Sequence, residues 1–185
     1  FHTARWPADL DLAGRHVAVI GTGASVVQVV PAIRERCASV TVFQRAPPWV
    51  IPRHDFGLAR LQPWFERAPA LRALVRAALY GLHEVSGLPF RHPWLGGLGE
   101  VVARAHLRRQ VRDPALRRVL TPDYRIGCKR VLLSDDWYPA LQAPNVTLVP
   151  HAAVAVEREA VVGADGVARR ADVLVLGTGF EVVEA

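Results

Sequence analysis

The stretch HVAVIGTGASVVQVVPAI, residues 16–33, constrains the fold more than any other part of the chain. Its apolar run, Val17 to Ile20, predicts a strand covered on both faces, as strands of a parallel sheet are. A glycine turn follows, then apolar positions at helical spacing to about Arg36. A second strand, Val40 to Phe43, comes next in SVTVFQR. Strand, tight turn, helix and strand within about 30 residues form the unit from which doubly wound nucleotide folds are built. The expected class is therefore α/β, Rossmann-like.

The turn carries the first chemical signal. In Gly21-Thr22-Gly23-Ala24-Ser25-Val26, Gly21 permits the reversal after the strand and Gly23 lets the backbone approach a pyrophosphate. The helix that begins here aims its free N–H groups at that anion. The third position of such a turn is ordinarily Gly or Ala, which lets helix and strand pack closely. Val26 departs from this, and a wider helix–strand gap is expected. A glycine pattern alone is weak, but its placement between strand and helix is the context a dinucleotide site requires. At the end of the second strand an NAD-binding fold carries Asp or Glu for the ribose hydroxyls; this chain has Gln44 and Arg45. A carboxylate repels a 2′-phosphate, whereas a guanidinium offers it a planar fork of donors. NADP(H) is expected over NAD(H).

Farther along, APPWVIPRHDF is proline-rich and expected to be extended or looped. Apolar residues recur at helical spacing from about Leu58 to Leu82 and from Gly97 to Val119, with a break at GLPFRHPWLGG. Thr121 to Leu141 reads as mostly irregular and NVTLVP as a short strand. The segment from Ala153 onward reads as short strands with a turn at ADG. A buried strand, Val173 to Leu176, then precedes another glycine turn.

A composition of 51% hydrophobic and 22% charged residues suits a packed domain and excludes global disorder. The longest apolar-leaning segment, Ala68 to Leu82, is interrupted by Arg72 and Arg76 and cannot span a bilayer. A net charge of +6 admits phosphorylated ligands, nucleic acid or anionic lipid. The arginines are scattered, however, without an aromatic-interleaved RNA pattern, so solvated helix faces are the reading and no nucleic-acid partner is expected. Cys37 and Cys128 fit no zinc spacing and are too few for a disulfide framework. No metal site is expected, and a cytoplasmic, reducing location is. Cys128 is expected to be a small buried filler. Asp135 and Asp136 are expected to cap a turn or helix start before Trp137 rather than to act as paired acid–base carboxylates. Trp49, Trp64, Trp94 and Trp137 are read as packing residues. The chain has no Met, at its start or elsewhere, and is expected to be part of a longer polypeptide.

Of the 23 Lys and Arg residues, Lys129 alone is lysine, and it directly precedes Arg130 in IGCKRVLLSDDWYPAL. With these segments assembled, the chain resembles Baeyer–Villiger monooxygenases, within the wider class B flavoprotein monooxygenases. HTARWP resembles the second half of their FxGxxxHxxxW(P/D) fingerprint, with His2 and Trp6 at its His and Trp. VIGTGAS resembles their NADPH glycine motif, VFQRAPPWVIPR and GCKRVLLSDDWYPAL resemble further segments, and DVLVLGTGF resembles their (A/G)TG motif. These segments occur in family order, which is more specific than any one of them.

The resemblance implies an NADPH domain inserted into an FAD domain that is largely missing from this chain. Residues 1–13 would be the linker from the FAD domain. Residues 14–170 would be the NADP-binding domain, with a helical insertion at about 56–119, and residues 171–185 the returning strand and linker. Gly21, Thr22, Gly23, Ala24, Ser25 and Gln28 match positions lining the NADP pyrophosphate and adjacent ribose. Arg45 matches the 2′-phosphate arginine, and Lys129 a lysine that reaches the same phosphate. Ala46 stands where the family often has Thr or Ser. Arg130 matches the active-site arginine beside the flavin, whose charge stabilises negative charge developing on oxygen. Thr178 matches the linker Thr near bound cofactor. His2 is read chiefly as a linker histidine holding two strands by hydrogen bonds.

The activity implied is an NADPH- and FAD-dependent monooxygenase that uses O2 to turn a ketone into an ester or lactone, with the segment inactive alone. The alternatives are an N- or S-oxygenating relative, which needs no such arginine, and a non-catalytic NADP-binding module.

Overall fold

The computed structural model describes residues 1–53, 62–91 and 96–179. In chain order the first elements are β1 (His16–Ile20), α1 (Ala24–Ile33), β2 (Ser39–Phe43), β3 (Val50–Ile51), α2 (Gln62–Arg67), α3 (Pro69–Arg91), α4 (Gly96–Gln110) and α5 (Pro114–Val119). Then come β4 (Leu132–Leu133), α6 (Trp137–Leu141), β5 (Val146–Val149), β6 (Ala153–Val156), β7 (Ala160–Gly163), β8 (Ala168–Arg170) and β9 (Val173–Leu176).

A parallel sheet in the order β5-β2-β1-β9 forms the centre. Its register runs unbroken, with Val17–Ile20 of β1 lying beside Val40–Phe43 on one side and Val173–Leu176 on the other. Because side chains alternate across a strand, Val17 and Val19 face one way and Ala18 and Ile20 the other. Val17 and Val19 pack with Val26, Val27, Val30 and Ile33 of α1, whose spacing gathers them on one helix face. Trp137 and Leu141 of α6 and Leu107 of α4 complete that core. Each such buried aliphatic side chain contributes about 1.5–3 kcal/mol of transfer free energy. On the opposite face Ala18 and Phe43 meet Val149 and Val161. Val161 belongs to the antiparallel meander β6-β7-β8, so the sheet lies between helices and a second small sheet. The turn that ends α1 is closed from a distance: Asn145 Nδ2 donates to the carbonyls of Arg34 (2.7 Å) and Cys37 (3.3 Å).

The α/β class with a parallel sheet expected from the glycine turn is the one observed, although a small antiparallel sheet, rather than helices, covers the second face, and several finer expectations change. Helix α3 continues to Arg91, so the break foreseen from Gly87 to Gly97 is shorter. The region Thr121–Leu141 holds β4 and α6. Trp49 and Trp137 are buried as expected, but Trp64 is 62% exposed on α2, and Trp94 lies outside the described residues. Cys128 is exposed; Cys37 is the buried thiol. Asp136 stands at the N-cap position of α6 without a side-chain cap bond. Ser134 caps instead, its Oγ accepting from the backbone N–H of Asp136 (3.2 Å) and Trp137 (3.1 Å). Its hydroxyl stands one residue farther from the helix than Asp135 and two farther than Asp136, the residues first read as caps.

Val26 is fully buried. Its branched side chain takes up the space beside the bare Cα of Gly177, where a Cβ would collide with Val26 Cγ2. A missing side chain on the turn after β9 thus compensates for the large third residue of the glycine turn. The β1–β9 ladder still reaches Ile20↔Leu176.

Candidate functional site

The chain leaves β1 toward β2 on one side, while β9 pairs on the other side of β1. Open parallel sheets bind ligands in the crevice that forms where neighbouring connections diverge in this way, beyond the carboxyl ends of the strands. A hollow of about 650 Å3 lies here.

Its floor is the turn Gly21–Ser25. Gly21 has φ +110°, and a Cβ there would stand 2.5 Å from the Gly177 carbonyl oxygen, so only glycine fits. The turn is held by Gly21 N–H donating to Phe43 O (3.1 Å) and Gly177 N–H to Ile20 O (2.9 Å). Helix α1 starts at Ala24 with Gly23 as its cap and no side-chain cap bond. The first N–H groups of the helix therefore have no intrahelical partner, and Ala24 and Ser25, which carry two of them, line the hollow.

The walls carry charge. Arg45, one residue beyond the Gln44 that closes β2's run, lines one side; Lys129 and Arg130 line another. All three are exposed, and no carboxylate lines the hollow among the described residues. Gln44 itself is 2% exposed and turns inward, donating through Nε2 to Val119 O (3.0 Å). Successive residues of an extended chain point to opposite sides, so burying Gln44 presents Arg45 to the crevice. Thr178 and Gly179 close the far rim.

Of the residues singled out in the sequence, Gly21, Thr22, Gly23, Ala24, Ser25, Arg45, Lys129, Arg130 and Thr178 line this one hollow. Gln28, exposed one turn into α1, is not among its lining residues. His2 and Trp6 are not among its lining residues, although His2 touches its rim. His2 bridges to Leu176, its Nε2 lies 2.7 Å from Gly179 O, and its Nδ1 accepts from Ala4 N–H (3.1 Å). Trp6 meets the Phe1 ring edge-on at 5.0 Å. Pro48, Tyr124, Ala152 and Ala153 also line the hollow and were not singled out in the sequence. Tyr124 had a signal, standing five residues before Lys129; the alanines had none. Three guanidinium or ammonium groups, a bare helix start and a glycine floor suit a ligand with more than one anionic phosphate.

No protein-family model matches the chain. It is 47% identical, over its full length, to a Baeyer–Villiger monooxygenase of Streptomyces coelicolor, and covers 36% of that relative. Its fold superposes on cyclohexanone-bound cyclohexanone monooxygenase with a TM-score of 0.72 at 26% identity, covering 98% of this chain and 43% of that one. An oxidized steroid monooxygenase bound to NADP gives 0.71 at 28% identity, covering 97% and 42%. The chain thus spans little more than a third of the length of that curated relative.

Proposed function

We propose, from the chain's full-length homology to one segment of Baeyer–Villiger monooxygenases, that it is the NADPH-binding portion of an FAD-dependent enzyme that inserts one oxygen of O2 into ketones to give esters or lactones. The observation that carries the reading is the meeting of Arg45 and Lys129, from loops far apart in sequence, on one glycine-floored hollow that no carboxylate lines among the described residues. The residues present fit NADP. The Gly21 turn leaves room for a pyrophosphate, α1 offers N–H donors, and the two cations answer a 2′-phosphate.

Bound FAD, reduced by NADPH, would supply the oxygen-activating chemistry, and much of its site would come from outside this segment. In this reading Arg130 holds a fixed positive charge where negative charge gathers on oxygen, and exerts it most strongly where water is excluded. Thr178 sits on the turn that returns the chain to the flavin side. Residues 1–13 and 171–185 act as the two linkers, supported by the pairing of Phe1 and His2 with Leu174–Gly179. Among the described residues no helix is long and apolar enough to cross a membrane. With both cysteines free, a cytoplasmic location is the reading.

The test is Arg130→Ala in the complete flavoenzyme, with products of a cyclic ketone and of a thioether followed by mass spectrometry. Ester formation is lost while NADPH still reduces the flavin. Undiminished ester formation refutes the role of Arg130. Oxygenation of the thioether alone by the wild type points to the heteroatom chemistry instead.

A further inference from the structure

We infer that Tyr124 sets the preference of this hollow for a 2′-phosphorylated nicotinamide dinucleotide, by holding Lys129 and the Arg45 loop toward the same point. The inference rests on the NADPH reading of the hollow. In it Tyr124 is a positioning residue that acts through the two cations.

Three contacts converge on Tyr124. Its ring face carries the Lys129 ammonium, with Nζ 4.3 Å from the centroid. Its hydroxyl donates to Pro47 O at 2.9 Å. Its own carbonyl accepts from Trp49 Nε1, also at 2.9 Å. The loop that follows Arg45 is therefore gripped from both flanks. Thr22 Oγ1, from the glycine turn, donates to Ala46 O (3.1 Å), and Tyr124 takes the next carbonyl, Pro47. Trp49, 3% exposed, anchors the far end of the loop. Burial raises the Tyr124 phenol above its ordinary range, so the hydroxyl stays protonated and remains a donor to Pro47.

Lysine at this place needs such a hold. Its ammonium sits on a four-carbon stem with many rotamers, and Arg45 and Arg130 line the same hollow with like charge. An unrestrained side chain would turn toward water and would have to be ordered by each incoming ligand. A ring face attracts the ammonium from one side and leaves its other N–H donors free. A merely structural Tyr124 would support the loops and affect every dinucleotide alike. A positioning Tyr124 acts only on the group that Lys129 and Arg45 address, which NADPH has and NADH lacks.

The experiment measures dissociation constants of NADPH and NADH by calorimetry for the 185-residue chain, for Tyr124→Leu, Tyr124→Phe and Lys129→Ala, and for the double variant that combines Tyr124→Leu with Lys129→Ala. Circular dichroism and thermal midpoints confirm that each variant is folded. Tyr124→Leu weakens NADPH about fivefold, the size of an exposed cation–π contact, and leaves NADH within about twofold. Tyr124→Phe keeps the ring and loses less. On the Lys129→Ala background, Tyr124→Leu costs less than it does on the wild type. Equal losses for NADPH and NADH, or an undiminished loss without Lys129, overturn the inference and leave the NADPH reading standing. A wild-type chain that binds the two dinucleotides equally overturns the NADPH reading and the inference together.

Discussion

Gly177→Ala should destabilise the chain, although a glycine-to-alanine change usually does the opposite. Gly177 does not need a positive φ, so alanine meets no backbone penalty there. Restricting the unfolded chain would by itself add about 0.4–1 kcal/mol of stability. The new methyl, however, enters space held by Val26 Cγ2. Val26 is fully buried and sits on a helix, where valine strongly prefers one χ1 rotamer, so it cannot swing aside. Overpacking of this kind costs about 1–3 kcal/mol. A net loss near 1–2 kcal/mol lowers the midpoint of a chain this size by about 2–8 °C. Val26→Ala alone removes two buried methyl groups and costs about 2 kcal/mol. Together the two substitutions should be less damaging than their sum by at least about 1 kcal/mol, because the added methyl fills part of the space the valine leaves. Urea unfolding of the four proteins measures this coupling. A midpoint for Gly177→Ala that equals or exceeds the wild type, or strict additivity of the pair, would refute the packing argument.

Two further outcomes are expected. Arg45→Ala removes a charge-assisted contact worth about 1.5–3 kcal/mol, so NADPH binding should fall by roughly tenfold or more while NADH binding is unchanged in calorimetric titration. Asp172 accepts from the His16 N–H (2.8 Å) and faces Arg170, and these partners, the backbone bond foremost, hold its pKa below the usual carboxylate value. A depressed folded pKa contributes stability that is present above the unfolded value, near 4, and is lost as pH falls through the folded one. Asp172→Asn should therefore be less stable than the wild type at neutral pH, with the difference closing toward pH 2 in acid titrations followed by circular dichroism.

What was legible in the sequence was local. The strand, glycine turn, helix and strand of residues 16–43 declare themselves because period and turn chemistry act over a few residues. Arg45 stands out because it lies two residues past a strand end. What escaped depended on residues brought together from afar. Val26 looks like a defect until Gly177 is placed beside it. Ser134, Asp135 and Asp136 are all good caps by composition, and only backbone geometry decides that the serine hydroxyl reaches the two amides. Cys128 reads as filler, yet it rides on an exposed turn opened by Gly127 at φ +94°. The share of Tyr124 in the hollow depends on two loops crossing, which no spacing rule reports.

The strand order has a consequence for how the chain is made. β1 is synthesised well before the neighbour on its outer side, β9, Val173–Leu176, which follows it about 150 residues later. At about 5–20 residues per second, β1 waits on the order of ten to thirty seconds on the ribosome with one row of backbone groups unpaired. Until β9 arrives, the apolar sequence HVAVI is an open edge on which a second nascent chain could dock. Translation speed across residues 44–172, and any chaperone that shields that edge meanwhile, therefore bear on the yield of folded protein as directly as does the stability of the finished sheet.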